Sequence, residues 1–165
     1  MSKPMNHVAV SVPDINLAAK WYRDVMGFTL LMGPIEISTE PSDSHIAKVA
    51  SNVFGPRMKK MLLCHMSSAN GVGFEIFQFV EPKAELRKDN FDYWKSGFFH
   101  VAVTDPNIEE LVRRITSSGG KQRSDILELV PGSGRRICFC EDPFGNIIEI
   151  YTHSYEQNWS NVSPT

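Results

Sequence analysis

The chain's pattern predicts an α+β fold of two tandem βαβββ modules, and three observations carry that prediction. A histidine-led apolar run occurs twice, as "NHVAVSVPDI" from residue 6 and as "FHVAVTDPNI" from residue 99. Each run leads into a helix-period pattern closed by glycine, and each helix pattern is followed by three runs of strand character. The length of 165 residues suffices for one compact domain or for two half-domains sharing a core, and is tight for two independent domains.

The first module is expected over residues 5–80. A strand over 5–12 alternates in polarity, and Asp14 is placed to cap a helix over 15–26 in which Ala18, Ala19, Trp21, Tyr22 and Val25 recur at helical spacing. Gly27 suits the left-handed position after that helix. Strands are expected near 28–35, 59–66 and 71–80. Residues 36–57 interrupt this module as an insertion, in which "SHIAKVASNVFG" has the character of a short helix. An insertion of this length in a compact domain is often a lid or a partner-binding loop, or else a surface excursion.

The second module, expected over residues 97–153, repeats the order. A strand over 98–104 leads through Asp105 and Pro106 to a helix with Ile108, Leu111, Val112 and Ile115 on one face, ended by Gly119-Gly120. Strands follow near 124–129, 136–141 and 146–152, the last two joined by the turn "EDPFGN". The charged stretch over 81–96 lacks a long apolar period and is expected to be a linker, and 154–165 a polar tail.

Composition narrows the partners. Hydrophobic residues make up 42% and charged residues 22% of the chain, with a formal net charge of -2. That balance argues against nucleic acid or an anionic membrane surface and leaves small molecules or other protein chains. No apolar run approaches the roughly 18 residues of a membrane span, and the start lacks the zones of a signal peptide, so a cytoplasmic location is expected. Cys64, Cys138 and Cys140 show no C-x-x-C spacing and are expected to be buried strand thiols. Asn158-Trp159-Ser160 and Asn161-Val162-Ser163 fit the glycosylation acceptor pattern.

Strand periodicity decides which side chains share a face. His7 shares one with Met5, Ala9 and Ser11, and His100 shares the equivalent one with Phe98, Ala102 and Thr104. The last strand of each module carries a matching acid. Glu75 stands among Gly73, Phe77 and Phe79, and Glu149 among Ile147, Tyr151 and His153, with no Lys or Arg in either strand. An unpaired carboxylate in an apolar interior costs several kcal/mol, on the order of the charge-burial penalty, so a compensating cation is expected. One divalent metal ion held by His7, Glu75, His100 and Glu149 supplies it. The nitrogen and oxygen donors suit Zn, Ni, Co, Mn or Fe(II). His45, His65 and His153 receive no role.

The duplication, the His-led strand, "VPDINLAAKWYRDVMGF" and above all "CEDPFGNIIEIY" resemble the vicinal oxygen chelate superfamily, which includes glyoxalase I, methylmalonyl-CoA epimerase, fosfomycin-modifying enzymes, extradiol dioxygenases and bleomycin-binding proteins. The likeness spans about residues 5–153. It implies sheets paired into an open barrel-like metal cavity, often in a homodimer, and implies that His7, Glu75, His100 and Glu149 are the metal ligands. This set is similar to that of bacterial glyoxalase I. The resemblance therefore implies a metal-dependent lyase or isomerase of the lactoylglutathione lyase kind, acting on a small oxygenated substrate through a chelated enediolate. Glu149 or Glu75 is the candidate base.

The chain departs from that family where an Arg and an Asn serve glutathione, since Ser11 and Phe79 stand at those places. Phe77, Phe79, Phe98 and Tyr151 suggest a more apolar ligand, or plain core packing. Arg135, Arg136 and Lys121 are candidates to meet an anionic substrate, or solvated strand-end charges. Two other functions fit the same residues. A ring-cleaving Fe(II) dioxygenase would use His7, His100 and Glu149 with Glu75 as a bystander, and a non-catalytic module would bind an aromatic metabolite or drug.

Overall fold

The computed structural model describes residues 2–40 and 43–160. It is an α+β structure that divides into two compact units, one ending at Leu86 and the other beginning at Arg87. The first contains β1 (His7–Ser11), α1 (Ile15–Asp24), β2 (Thr29–Ser38), α2 (His45–Phe54), β3 (Lys60–Ser67) and β4 (Gly73–Glu81). The second contains β5 (Val101–Thr104), α3 (Ile108–Ser117), β6 (Lys121–Gln122), β7 (Leu127–Glu128), β8 (Arg136–Glu141), β9 (Ile147–Tyr151) and α4 (Tyr155–Trp159).

In the first unit the sheet order is β1-β4-β3-β2, with β1 parallel to β4 and the other pairs antiparallel. Asp14 caps α1 through its side chain, which accepts hydrogen bonds from the backbone N–H groups of Asn16 and Leu17. Gly27 then takes a positive φ of 71°, which a side chain would strain. Ile15, Ala18, Trp21 and Tyr22 are buried on the inner face of α1. Tyr22 stacks with Phe28 and tilts against Phe74, which lies on the covered face of the sheet with Ile76, Cys64 and Met66. Each fully buried side chain of this size contributes roughly 1.5–3 kcal/mol of apolar transfer energy.

The insertion does more than skirt the surface. Ala47 and Ala50 of α2 are buried, and Ala50 joins Ile37, Met58, Met61 and Leu63 in a core on the opposite face of the sheet. Phe77 and Phe79 pack against it, and Phe54 meets both rings edge-on. Residues 41 and 42 of the insertion lie outside the described residues.

The second unit has the order β5-β9-β8-β6, with β7 also paired to β8 and β5 parallel to β9. Its core joins Ile108, Leu111, Val112 and Ile115 of α3 with Cys138, Cys140, Ile148 and Ile150. Three expectations change here. The first strand begins at Val101 rather than at residue 98, and the strand expected over 124–129 shortens to Leu127–Glu128, with Lys121–Gln122 pairing separately. Residues 155–159, expected within a polar tail, form a helix whose first turn is closed by reciprocal bonds between Ser154 and Gln157. The end of that tail, including Asn161-Val162-Ser163, lies outside the described residues. No helix among the described residues is long and apolar enough to cross a membrane.

Candidate functional site

In the first unit the parallel pairing of β1 with β4 sets His7 against Gly73 and Ala9 against Glu75. The two functional side chains therefore project from the same sheet face one pleat apart. A Cβ built on Gly73 would lie 2.8 Å from the His7 Cβ, so the glycine makes room for the imidazole. His7 Nδ1 lies 2.7 Å from Asn6 Oδ1, an acceptor that suits the tautomer with the proton on Nδ1 and the Nε2 lone pair open. That Nε2 faces Glu75 Oε2 at 3.4 Å. On the other side of Glu75, His65 stands directly across the antiparallel β3–β4 pair, with Nδ1 3.3 Å from Oε1. Each oxygen of this carboxylate thus meets a different imidazole.

The second unit repeats the register. His100 immediately precedes β5, Ala102 pairs with Glu149, and His100 Nε2 lies 3.2 Å from Glu149 Oε2. The surroundings differ. Glu149 is nearly enclosed, its side chain 9% exposed against 21% for Glu75. Phe139 occupies the cross-strand position that His65 holds in the first unit. The His100 ring meets Phe99 and Phe139 edge-on, at centroid distances of 4.5 and 5.6 Å. Burial, followed by the charge of Glu149, pushes the Tyr151 phenol up to about 12.

Electrostatics separates Glu149 from the other buried acids of its unit. Glu141 is neutralised by Arg123 at 2.8 Å and Lys121 at 3.1 Å. Asp142 accepts from the backbone N–H groups of Phe144 and Asn146 and from the Asn146 amide. Glu149 has no Lys or Arg in ion-pair contact among the described residues, and neither does Glu75.

Fit to a divalent ion can be judged from these atoms. An imidazole lone pair facing a carboxylate oxygen at 3.4 Å is repulsive unless a cation or a proton lies between them. In the second unit the buried Nδ1 of His100 has no hydrogen-bond partner. A buried polar atom in that condition calls for a partner such as a water, on the ring nitrogen other than the Nε2 that faces Glu149. Imidazole nitrogen with carboxylate oxygen is also a donor chemistry that such ions accept. The residues fit the group pairwise: His7 joins Glu75 and His100 joins Glu149, and no set of three or more His, Cys, Asp or Glu side chains poised to hold an ion occurs among the described residues.

The remaining candidates are engaged elsewhere. Arg136 pairs with Glu109, Lys121 with Glu141, and Arg135 donates to the backbone oxygen of Asn158. Cys64, Cys138 and Cys140 are buried free thiols, as expected. Phe79 stacks with Phe77 on the Glu75 face, while Phe98 is fully exposed. His65 went without a role in the sequence, although a signal for it was present. Residues 65 and 75 lie symmetrically about Asn70, in the Asn70-Gly71 turn signal between β3 and β4, so a tight hairpin there places them across from each other.

Comparison with known proteins follows the same line. A family model described as the Glyoxalase/Bleomycin resistance protein/Dioxygenase superfamily matches residues 5–150. The structure is similar to that of a glyoxalase family protein from Bacillus cereus, with a TM-score of 0.73 and 18% identity over 92% of this chain and 94% of that one. Glyoxalase I from Zea mays is similar with a TM-score of 0.61 and 20% identity over 93% of this chain, which spans only 46% of the maize protein. The genomically encoded fosfomycin resistance protein FosX from Listeria monocytogenes has a TM-score of 0.62 and 13% identity, over 98% of this chain and all of that one. At these identities the likeness shows the fold alone. No curated protein matches the sequence.

Proposed function

The chain belongs to the Glyoxalase/Bleomycin resistance protein/Dioxygenase superfamily, and we propose that within it the protein is a metal-dependent lyase or isomerase of the glyoxalase type. Members of the superfamily bind a divalent metal and small-molecule substrates. The observation that carries the proposal is the imidazole–carboxylate pair found at the same register in both units, His7 with Glu75 and His100 with Glu149.

His7 and His100 would hold the ion as neutral nitrogen donors, and Glu75 and Glu149 would balance its charge. When bound, such an ion stabilises the negative charge that develops on neighbouring substrate oxygens when a proton leaves the carbon beside a carbonyl. A carboxylate of the set, Glu149 or Glu75, takes that proton and returns it to the adjacent atom. Phe77, Phe79 and Phe54 give the Glu75 side an apolar wall, and Phe139 and Phe99 do the same beside His100. Such walls favour a substrate with an apolar portion. Phe79 stands where a glutathione-binding residue would be expected, so the substrate need not carry glutathione.

Two measurements test this reading. Purified protein should contain one divalent ion per chain. Wash-out of a substrate α-proton, screened over 2-oxoaldehyde thiol adducts and acyl-CoA thioesters, should vanish in Glu75→Ala and Glu149→Ala. Full exchange in both variants would show that neither acid has the proposed role.

A further inference from the structure

We propose that His65 is a positioning residue for the candidate metal centre: it holds Oε1 of Glu75 so that Oε2 alone is presented toward His7. The inference rests on the metal reading above and adds to it a residue that the His/Glu/His/Glu set does not include. Three observations support it. His65 lies on β3 in direct register with Glu75, and its Nδ1 is 3.3 Å from Oε1 while His7 Nε2 is 3.4 Å from Oε2. Glu75 is also the more exposed of the two acids. A partly exposed glutamate keeps rotamer freedom that must be lost when it becomes a ligand. A polar neighbour that fixes one oxygen removes this loss in advance.

The second unit supplies an internal control. At the position equivalent to His65 stands Phe139, and there the carboxylate is held by enclosure instead. What Phe139 and its neighbours do for Glu149 by packing, His65 does for Glu75 by contact with an oxygen. His65 therefore acts through Glu75 and need not touch substrate.

The test is a titration of the metal-free full-length protein with Co(II), read by calorimetry and by the visible absorption of the bound ion. His65→Phe, which copies the second unit, should raise Kd by about 10–100-fold, the usual range for losing a group that orients a ligand. It should also alter the Co(II) absorption, with the melting temperature of the metal-free protein unchanged. His65→Asn, whose amide nitrogen falls near the position of Nδ1, should restore the affinity to within a few-fold. If His65→Phe does not fold, His65→Ala replaces it against His65→Asn. Equal Kd values for the wild type and the Phe variant, or for the Ala and Asn variants, would overturn the proposal. A wild-type chain that binds no Co(II) would instead overturn the metal reading beneath it.

Discussion

Across from its acid the first unit sets an imidazole, and the second sets a phenyl ring at the equivalent place. Asn6, His65 and Gly73 stand around the His7–Glu75 pair where Phe99, Phe139 and Ile147 stand around His100–Glu149. The strands differ in the same sense. From Gly73 to Phe77 β4 alternates between partly buried and buried positions, whereas Ile147, Ile148, Glu149 and Ile150 of β9 are buried in succession. The backbone register that sets a histidine beside a glutamate is thus repeated without its surroundings. Register places the imidazole beside the carboxylate, and the residue across from the carboxylate is free to be a histidine in one unit and a phenylalanine in the other.

Exchanging that residue should break the comparison most visibly. Phe139→His gives up ring contacts with Phe91 and His100 but sets an imidazole directly across from Glu149, and should lower stability by about 1–3 kcal/mol. The converse change, His65→Phe, sits on a half-exposed face and should shift stability by less than about 1 kcal/mol. Urea unfolding of the two variants checks both figures.

Gly73→Ala probes the room left for His7. The added Cβ meets the His7 Cβ at 2.8 Å and the backbone oxygen of Asn6 at 3.3 Å, so β1 must shift. A loss of about 1–3 kcal/mol is expected, with weaker metal binding alongside it. Ile147, which fills the equivalent place in β9, shows that the second unit tolerates a side chain there. Thermal melts and Co(II) titration of Gly73→Ala report the two effects separately.

The smallest contrast lies at the helix starts. Asp14 caps α1 with two hydrogen bonds, whereas the Asn107 side chain makes no capping bond to α3. Asp14→Ala should therefore cost about 1 kcal/mol and Asn107→Ala only a few tenths, both measured by unfolding.

Much of this was legible in the sequence because it depends on period and repetition. The alternation in "HVAVS" puts His7 and Ala9 on one face, and the repeat makes His100 the counterpart of His7 and Glu149 the counterpart of Glu75. The helix α2 was legible in "SHIAKVASNVFG" for the same reason, although its packing against Met61 and Leu63 was not. What period cannot give is which strand lies beside which. His65 acquires its neighbour through the β3–β4 register, while its own strand, "KMLLCHMS", reads as plain core. The α4 helix escaped because five residues show no apolar period, even though Ser154 and Gln157 have the spacing of a capping box. The late start of β5 follows Gly97, Phe98 and Phe99, whose apolar character extends the strand pattern beyond the residues that pair with β9.

The proposed function turns on whether these imidazole–carboxylate pairs bind a divalent ion, and calorimetric titration of the metal-free chain tests it most directly. The account predicts one ion per chain, with Glu75→Ala and Glu149→Ala each raising Kd by at least about 100-fold because each removes a proposed charged ligand. Absence of binding to the wild type, or an affinity indifferent to both substitutions, would contradict it.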